Sequence, residues 1–235
     1  MEIIKLSKRL QTLASFVPNG AKVADIGTDH GYIPVWLAQN RITDKIAAAD
    51  INIGPLEHAK ATAHEYGVFD QIKFELCSGL SFENSSDYDT IIIAGMGGEL
   101  IMSIIEAAPW TKNGTTLILQ PNSKIQDLVQ WLTENEYSIK ETRLVKDAGK
   151  YYQILIVSHG KDKILEREAH RLVHPLYLTH KDPLTPEYLD NLISRYKHAI
   201  DGMLTSKKET PELTRLRNLV EDLQSMKKET ETWQQ

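Results

Sequence analysis

The stretch Val23–Leu37, VADIGTDHGYIPVWL, decides the fold, because it begins as a buried strand and ends as a helix. Its residues up to Ile26 are mostly apolar, and apolar residues return from Tyr32 onward. Polar residues and glycines crowd the junction between these two parts: Asp25, Gly27, Thr28, Asp29, His30 and Gly31. A structural turn needs one glycine and one capping residue. The additional acids therefore indicate that this junction binds a ligand.

Strand-like and helix-like segments alternate along the first part of the chain. The predicted strands are Lys22–Ile26, Lys45–Asp50, Ile72–Cys77, Asp89–Ala94 and Thr115–Gln120. The predicted helices are residues 1–17, Tyr32–Gln39, Pro55–Tyr66, Glu99–Ala107 and Lys124–Asn135. Apolar runs such as IIIA and LIL lack polar alternation, which is typical of strands buried on both faces of a parallel sheet. The repetition predicts an α/β fold with a doubly wound, Rossmann-like sheet.

A β-hairpin is predicted to end this sheet. Tyr137–Val145 and Tyr151–Ser158 are two β-like stretches, and the residues between them, KDAGK, have the composition of a turn. Beyond Gly160 the composition becomes helical. We therefore expect two domains, residues 1–160 and residues 161–235.

The second domain is predicted to contain a pair of helices. Thr185-Pro186 and Thr210-Pro211 each have the pattern of an N-cap followed by proline at the first helical position. Apolar residues follow at three- and four-residue spacing: Leu189, Leu192, Ile193, Tyr196, Ile200, Met203 and Leu204 in one segment, and Leu213, Leu216, Val220, Leu223 and Met226 in the other. Two such stripes, joined near residues 206–210, predict an antiparallel helical hairpin or a short coiled coil.

Composition and charge limit the kinds of partner. The net charge is −5, and the residues from Lys161 onward hold 13 basic and 13 acidic side chains, so the excess acid lies in the first domain. An acidic domain suits a small cationic ligand. The single cysteine excludes an intramolecular disulfide, and no apolar stretch approaches the ~20 residues that span a bilayer. The N-terminus carries Lys5, Lys8 and Arg9 among its apolar residues, unlike a signal peptide. We expect a cytoplasmic protein without a membrane partner.

S-adenosyl-L-methionine fits the acids at the strand ends better than a dinucleotide does. A dinucleotide fingerprint reads G-x-G-x-x-G, but here Asp29 stands at the second glycine position and would oppose a pyrophosphate. S-adenosylmethionine carries two cationic groups and no phosphate. Asp50 ends the second strand, where its two carboxylate oxygens match the two ribose hydroxyls. A single strand-end acid is more often a helix cap, but three strand ends with polar or glycine residues favour the cofactor.

Five segments in this order resemble the bacterial tRNA (adenine(22)-N1)-methyltransferase family: DIGTDHGYIPVWLAQ, AADIN, IIIAGMGGELI, LILQPN and DAGKYYQI. The resemblance covers the chain essentially from end to end. It implies a class I methyltransferase fold, S-adenosylmethionine as the methyl donor, and methylation of adenosine N1 in the D-arm region of tRNA. One departure is Ser78, where the family commonly has aspartate before Gly-Leu.

The resemblance and the strand-end pattern together assign candidate site residues. The predicted cofactor-binding residues are Asp25, Gly27, Thr28, Asp29, His30, Gly31, Asp50, Ile51, Ser78, Gly79, Leu80, Gly95 and Met96. The predicted catalytic residues are Asp29, Gly95, Met96, Gly97, Gln120 and Asn122. Neither the eight histidines nor the cysteine has zinc-ligand spacing, so no metal is predicted.

The fourth strand ends in AGMGGE, without the (Asp/Asn)-Pro-Pro-(Tyr/Phe) tetrapeptide of many amino-group methyltransferases. Its absence favours attack by a ring nitrogen, which needs no prior deprotonation. Gly95, Gly97 and Gly98 are interpreted as leaving room for a flat base, with a tight strand-to-helix turn as the alternative. Asp29 is the candidate for accepting the N6 proton or pairing with the charge of the methylated base.

Contacts to RNA are expected from cations and one aromatic residue. The predicted RNA-binding residues are Lys5, Lys8, Arg9, Tyr32, Arg143, Lys146 and Lys150. The second domain adds Lys161, Lys163, Arg167, Arg171, Lys207 and Lys208. Charge clusters of this size are as often solvated faces as phosphate contacts.

Two other classes of function remain open from the sequence. A methyltransferase for another RNA, a protein or a small molecule would share the cofactor site, and a non-catalytic binding module would use the helical hairpin to recruit a partner. The sequence slightly favours a monomer over a dimer formed through that hairpin, without deciding between them.

Overall fold

A computed structural model describes residues 2–204 and 209–234, and it divides the chain into two compact units, residues 1–164 and 165–235. The first unit contains a seven-stranded sheet in the order β3-β2-β1-β4-β5-β7-β6. The strands are β1 Lys22–Ile26, β2 Lys45–Asp50, β3 Ile72–Leu76, β4 Thr90–Gly97, β5 Thr116–Ser123, β6 Tyr137–Asp147 and β7 Lys150–His159. Strands β1 to β5 are parallel, and β7 is antiparallel to both of its neighbours. The predicted Rossmann-like sheet with a terminal hairpin is confirmed.

Five α-helices of the first unit connect or flank these strands: α1 Lys8–Ser15, α2 Tyr32–Gln39, α3 Ile53–Glu65, α4 Gly98–Glu106 and α5 Ile125–Glu134. The core lies in the centre of the sheet, where Ile91, Ile92 and Ile93 of β4 are fully buried. Full burial on both faces is why these residues show no polar alternation.

The first helix is shorter than predicted. It starts at Lys8 rather than at the N-terminus, because Ser7 is its N-cap and accepts a hydrogen bond from the N–H of Leu10. A carboxylate strengthens this start, since Asp147 accepts from the N–H of Arg9 over 3.0 Å. Helix α1 is thereby held against the end of the β6–β7 hairpin.

The second unit contains four α-helices within the described residues: α6 Glu168–Leu172, α7 Leu176–Thr179, α8 Thr185–Leu204 and α9 Pro211–Glu231. The predicted pair α8 and α9 is antiparallel, since Asp190 near the start of α8 forms an ion pair with Lys227 near the end of α9. The apolar stripe predicted for α9 is buried, whereas that of α8 is buried only as far as Ile193 and Leu204 is 43% exposed. The short helices α6 and α7 were not predicted.

Of the two predicted N-caps in this unit, one is confirmed. Thr210 caps α9, and its side chain accepts from the N–H of Leu213. Thr185 is instead the first residue of α8, and its buried hydroxyl has no hydrogen-bond partner within the described residues. Across the described residues, every helix is either too short or too polar to cross a bilayer.

Candidate functional site

A cavity of about 340 Å³ opens at the carboxyl ends of β1, β4 and β5. Small-molecule sites in proteins range over roughly 300–1,000 Å³, and open α/β sheets place them at these strand ends. We call it the strand-end cavity. Its lining residues are Arg9, Leu10, Asp25, Gly27, Thr28, Asp29, His30, Tyr32, Ile33, Ala94, Gly95 and Asn122. Seven of the residues predicted to be cofactor-binding or catalytic, and two of those predicted to bind RNA, Arg9 and Tyr32, therefore meet in one place.

Asp25 is the buried acid of this cavity. Its side chain lies at the end of β1, is only 6% exposed, and accepts a hydrogen bond of 2.8 Å from the hydroxyl of Thr28. Burial raises the pKa of the Asp25 carboxyl to about 6, against the opposing effects of the Thr28 hydrogen bond and the charge of Arg9. A cationic ligand would stabilise the ionised form of this acid.

Asp29 and Gly31 shape the turn between β1 and α2. Asp29 has φ +30° and Gly31 has φ +67°, in the left-handed region that disfavours most side chains. A Cβ on Gly31 would lie 2.9 Å from the Cβ of Ala59 in α3. Gly31 therefore allows the start of α2 to approach α3 closely.

Gly27 leaves room for the side chain of Met96. The methyl group of Met96 occupies the space that a Cβ on Gly27 would need, and Gly27 has φ +77°. Any side chain at position 27 would displace Met96. The positive φ, together with this contact, favours glycine at position 27.

The three glycines after β4 have different roles. Gly95 lines the cavity, has φ +79°, and faces the guanidinium of Arg9, which would lie 3.8 Å from its Cβ. A Cβ on Gly98 would lie 2.6 Å from the carbonyl oxygen of Lys124, and one on Gly97 would lie 3.2 Å from the hydroxyl of Ser123. Gly97 and Gly98 thus allow the end of β5 to pack closely, as in the alternative interpretation, and only Gly95 of the three is part of the cavity wall.

Arg9 connects α1 with the ends of β5 and β7. Its guanidinium donates to Oε1 of Gln120 over 2.6 Å and lies 5.3 Å from the ring centroid of Tyr152. Its backbone N–H is the donor to Asp147 described above, and the Ser7 hydroxyl and this N–H hold the pKa of the Asp147 carboxyl below its usual range. The sequence predicted Arg9 as a phosphate contact, but the structure places it in the cavity wall.

Two side-chain amides extend the series of hydrogen bonds that begins at Arg9. Gln120 is fully buried, and its Nε2 donates to Oδ1 of Asn122 over 2.9 Å. The Nδ2 of Asn122 in turn donates to the carbonyl oxygen of Gly95 over 2.7 Å. We call this series, from Arg9 through Gln120 and Asn122 to Gly95, the amide relay.

A second cavity of about 350 Å³ adjoins the first. We call it the hairpin cavity, because it lies beside the start of β7. Its lining residues are Arg9, Pro121, Asn122, Lys150, Tyr151 and Tyr152. Arg9 and Asn122 also line the strand-end cavity, so these two side chains form a shared wall.

Several predicted cofactor residues do not line either cavity within the described chain. Asp50 lies at the end of β2, where its Oδ1 accepts from the N–H of Asn52 over 2.8 Å, and its charge contributes to the raised pKa of Asp25. Ile51 is 64% exposed beside it. The carbonyl oxygen of Asp50 accepts from the N–H of Cys77, which places residues 78–80 after β3 on the same edge of the sheet. Gly79 packs against Ile104, and Leu80 is buried.

An aromatic stack stands at the mouth of the strand-end cavity. His30 lies between Tyr32 and His58, with ring centroids 5.2 and 5.3 Å apart and nearly parallel planes. Donor atoms of Asp29, His30 and His58 lie within 4.8 Å of one another, and all three residues are exposed. His58 was missed, because it enters from α3 and no local spacing relates it to His30.

The other predicted RNA-binding cations are distributed over the first unit. Lys5 lines a shallow cavity with Tyr32 and the N-terminal residues, and Lys8 is exposed on α1. Arg143 pairs with Glu141 over 2.9 Å, and Lys146 lies over the ring of Tyr151. In the second unit Arg167 pairs with Asp222 and Arg171 donates to the carbonyl oxygens of Leu165 and Glu166; Lys207 and Lys208 lie outside the described residues.

The sheet order, the strand-end cavity and its buried acid define a Rossmann-like methyltransferase, and residues 6–155 match the family described as "Methyltransferase domain". The tRNA (adenine(22)-N(1))-methyltransferase of Bacillus subtilis (strain 168) is 38% identical over 161 residues, which are 68% of each chain. The chain belongs to the tRNA (adenine(22)-N(1))-methyltransferase family.

Solved structures agree with this assignment. The B. subtilis M1A22 tRNA methyltransferase superposes with a TM-score of 0.82 at 30% identity, covering 97% of this chain and 100% of the other. A Streptococcus pneumoniae protein solved in complex with S-adenosyl-L-methionine superposes with a TM-score of 0.84 at 29% identity, covering 95% and 100%.

Proposed function

We propose that this chain transfers a methyl group from S-adenosyl-L-methionine to N1 of adenosine 22 in tRNA. The observation that carries the proposal is the acidic strand-end cavity with Asp25 at its base, in a chain of this family. The named relative from B. subtilis has this activity in its name, and one solved relative was crystallised with the cofactor.

The residues present fit a cationic cofactor. Asp25 is buried with its pKa raised, so an ionised Asp25 needs positive partners, and the charge of Arg9 offsets its burial only in part. Asp25 and Asp29 would hold the cationic groups, with Gly27 beside them in the cavity lining. Asp50 would accept from the ribose hydroxyls, and residues 78–80 would border the adenine. When bound, S-adenosyl-L-methionine supplies a methyl group activated by a sulfonium.

The chain then contributes alignment rather than acid–base chemistry before transfer. Adenine N1 already has an in-plane lone pair, so no residue has to remove a proton first. The residues around the shared wall need to hold N1 in line with the methyl group, and such alignment supplies a large part of the barrier reduction in transfer reactions. This requirement agrees with a β4 end that lacks the amine-holding tetrapeptide.

Asp29 is proposed to act after transfer, when the methylated base is cationic. Its side chain is 67% exposed at the cavity mouth, so it can exchange a proton with solvent. Asp29→Asn keeps the shape and tolerates the same backbone conformation. We expect turnover at saturating cofactor to fall at least tenfold, as measured by steady-state kinetics, and calorimetry to show a separate weakening of cofactor binding because the Asp29 charge is lost. Near-normal turnover would exclude this role.

We propose that residues 1–160 form the catalytic domain, that residues 161–235 form an appended helical domain, and that the protein acts on tRNA in the cytoplasm as a monomer. The cations of Lys5, Lys8, Arg143, Lys146 and Lys150 are proposed to contact phosphates, with Tyr32 stacking on a base.

The proposal is tested by the RNA dependence of turnover. The purified chain is incubated with methyl-labelled S-adenosyl-L-methionine and, in parallel, unmodified tRNA transcripts, a mixed protein extract and a pool of small metabolites. We expect label only in the tRNA fraction. Label in protein or small molecules without tRNA labelling would replace the proposed substrate, and failure to bind the cofactor would favour a non-catalytic module.

A further inference from the structure

The hairpin cavity differs in chemistry from the strand-end cavity beside it. Two of its lining side chains, Arg9 and Lys150, are cationic, and two, Tyr151 and Tyr152, are aromatic. The strand-end cavity has the acids Asp25 and Asp29 in its lining. The hairpin cavity therefore suits an anionic, aromatic ligand, and the strand-end cavity suits a cation.

The amide relay fixes the orientation of the shared wall. A guanidinium can only donate hydrogen bonds, so Arg9 requires an oxygen of Gln120 to face it. The Nε2 of Gln120 must then face Asn122, and it finds Oδ1. The Nδ2 of Asn122 consequently faces the carbonyl oxygen of Gly95. A reversed Asn122 amide would set donor against donor and acceptor against acceptor.

Asn122 keeps a further hydrogen-bonding capacity on both atoms of its amide. Oδ1 has two lone pairs and Nδ2 has two hydrogens. Within the described residues, one of each is used by the relay. The side chain is exposed in the wall between the two cavities, so the remaining acceptor and donor are accessible to a ligand.

We propose that the hairpin cavity is the subsite for the acceptor nucleotide and that Asn122, oriented by Arg9 through Gln120, reads the N6/N7 edge of its adenine. The inference rests on the proposed function and specifies which residues select the base. Oδ1 accepts from the N6 amine and Nδ2 donates to N7, the pairing that asparagine makes with adenine in other complexes. Lys150 supplies a positive partner for the phosphate, and Tyr151 supplies an aromatic surface.

The reaction itself decides between the two edges of adenine. Reading the Watson–Crick edge would place the Nδ2 donor on N1 and block the lone pair that must receive the methyl group. The N6/N7 edge leaves N1 free. Guanine presents O6 and N7, two acceptors, at this edge. The fixed Oδ1 would oppose O6, so the subsite discriminates against guanine.

Arg9 is a positioning residue in this scheme, since it acts through Gln120. Replacement by methionine removes the donor to Gln120 but keeps the backbone N–H that binds Asp147. Helix α1 therefore keeps its attachment at that point. Arg41→Met is the matched control. Arg41 is exposed and lies between α2 and β2, at the amino end of β2, whereas the cavities lie at the carboxyl ends of the strands.

The test replaces a single atom of the substrate. Transcripts carrying adenosine or 7-deazaadenosine at the methylated position are compared in single-turnover assays; the analogue lacks the N7 acceptor but keeps N1 and N6. The wild-type chain and Arg41→Met should methylate the analogue about tenfold more slowly, the effect of one lost hydrogen bond. In Asn122→Ala and Arg9→Met this ratio should approach one. An equal wild-type rate on both transcripts, or a ratio unchanged in Asn122→Ala, would overturn the proposal.

A second readout does not require activity. In a ¹⁵N-labelled sample, adenosine monophosphate should shift the side-chain amide signal of Asn122, and guanosine monophosphate should not. In Arg9→Met the difference between the two nucleotides should disappear. If the wild-type chain methylates no tRNA, the proposed function fails, and these spectra alone decide the subsite: equal shifts by both nucleotides, or none, would reject it.

Discussion

Asp25 shows at the residue scale how a ligand site is kept at a cost to stability. Burial raises its pKa from 3.8 to about 6. The contribution of this carboxyl to stability is therefore present below pH 4 and is lost as the pH rises through 6. One pKa unit corresponds to 1.36 kcal/mol, so the loss amounts to about 3 kcal/mol in the apo-protein at neutral pH.

We expect Asp25→Asn to be more stable than the wild-type chain at pH 7.5 in the absence of cofactor, by up to about 3 kcal/mol. The neutral amide avoids the cost of a buried charge and can still accept from Thr28. Urea unfolding at pH 4.5 and pH 7.5 measures the difference, which should shrink at the lower pH. A difference independent of pH would show that Asp25 does not titrate in this range.

The same carboxyl should control the affinity for a cationic cofactor. Because the ionised form binds the cation, we expect the affinity of the wild-type chain for S-adenosyl-L-methionine to fall as the pH is lowered through 6. Asp25→Asn should bind weakly at every pH and lack this dependence. Calorimetric titrations between pH 5 and pH 8 provide the comparison, and a wild-type affinity that does not change would contradict it.

At the scale of elements, the sequence predicted the first three strands within one residue, because their apolar runs are bounded by turns and helix starts. It placed the ends of β4 and β5 three residues too early. The predicted strands stopped before the glycines at 95 and 97 and the proline at 121, but β4 and β5 continue to pair across irregular registers at Met96 and Gly97. A local pattern cannot show pairing of this kind.

The turn between β6 and β7 is shorter than the sequence suggested and contains Ala148 at φ +47° and Gly149 at φ +77°. Two-residue hairpin turns with both residues in this region prefer asparagine followed by glycine. Ala148→Asn should therefore raise the free energy of unfolding by about 1 kcal/mol.

Ala61→Asn is the control for this prediction, because Ala61 is exposed within α3 and asparagine is a poorer helix former. It should lower the free energy of unfolding by about 0.5 kcal/mol. Thermal unfolding shows whether each variant is more or less stable than the wild-type chain. A destabilised Ala148→Asn would refute the prediction based on the positive φ of Ala148.

At the scale of the whole molecule, the crowding of residues at the end of β1 was predictable from the sequence, and the contacts that join α1 to β5 and to the hairpin were not. Asp25, Gly27 and Asp29 are neighbours in the sequence, so their crowding was visible. Arg9 and Gln120 lie 111 residues apart. The resemblance included the motif DAGKYYQI, which contains Asp147 and Tyr152. Their contacts with Arg9 could not be predicted, because only the folded chain brings α1 to the hairpin.

Every residue lining the strand-end cavity belongs to the first compact unit. We expect a chain ending at Ile164 to fold and to bind S-adenosyl-L-methionine with an affinity within about threefold of the full chain. Circular dichroism and calorimetry test both parts of this expectation. A fragment that folds but does not bind the cofactor would show that the second unit completes the site.

The central claim is the transfer of a methyl group to one nitrogen of one nucleotide. The most direct test labels an unmodified tRNA transcript and its twin with guanosine in place of adenosine 22, then identifies the methylated nucleoside and its position by mass spectrometry. We predict 1-methyladenosine at position 22 in the first transcript and no label in the second. Label at another position, or on another atom of adenosine 22, would contradict the account.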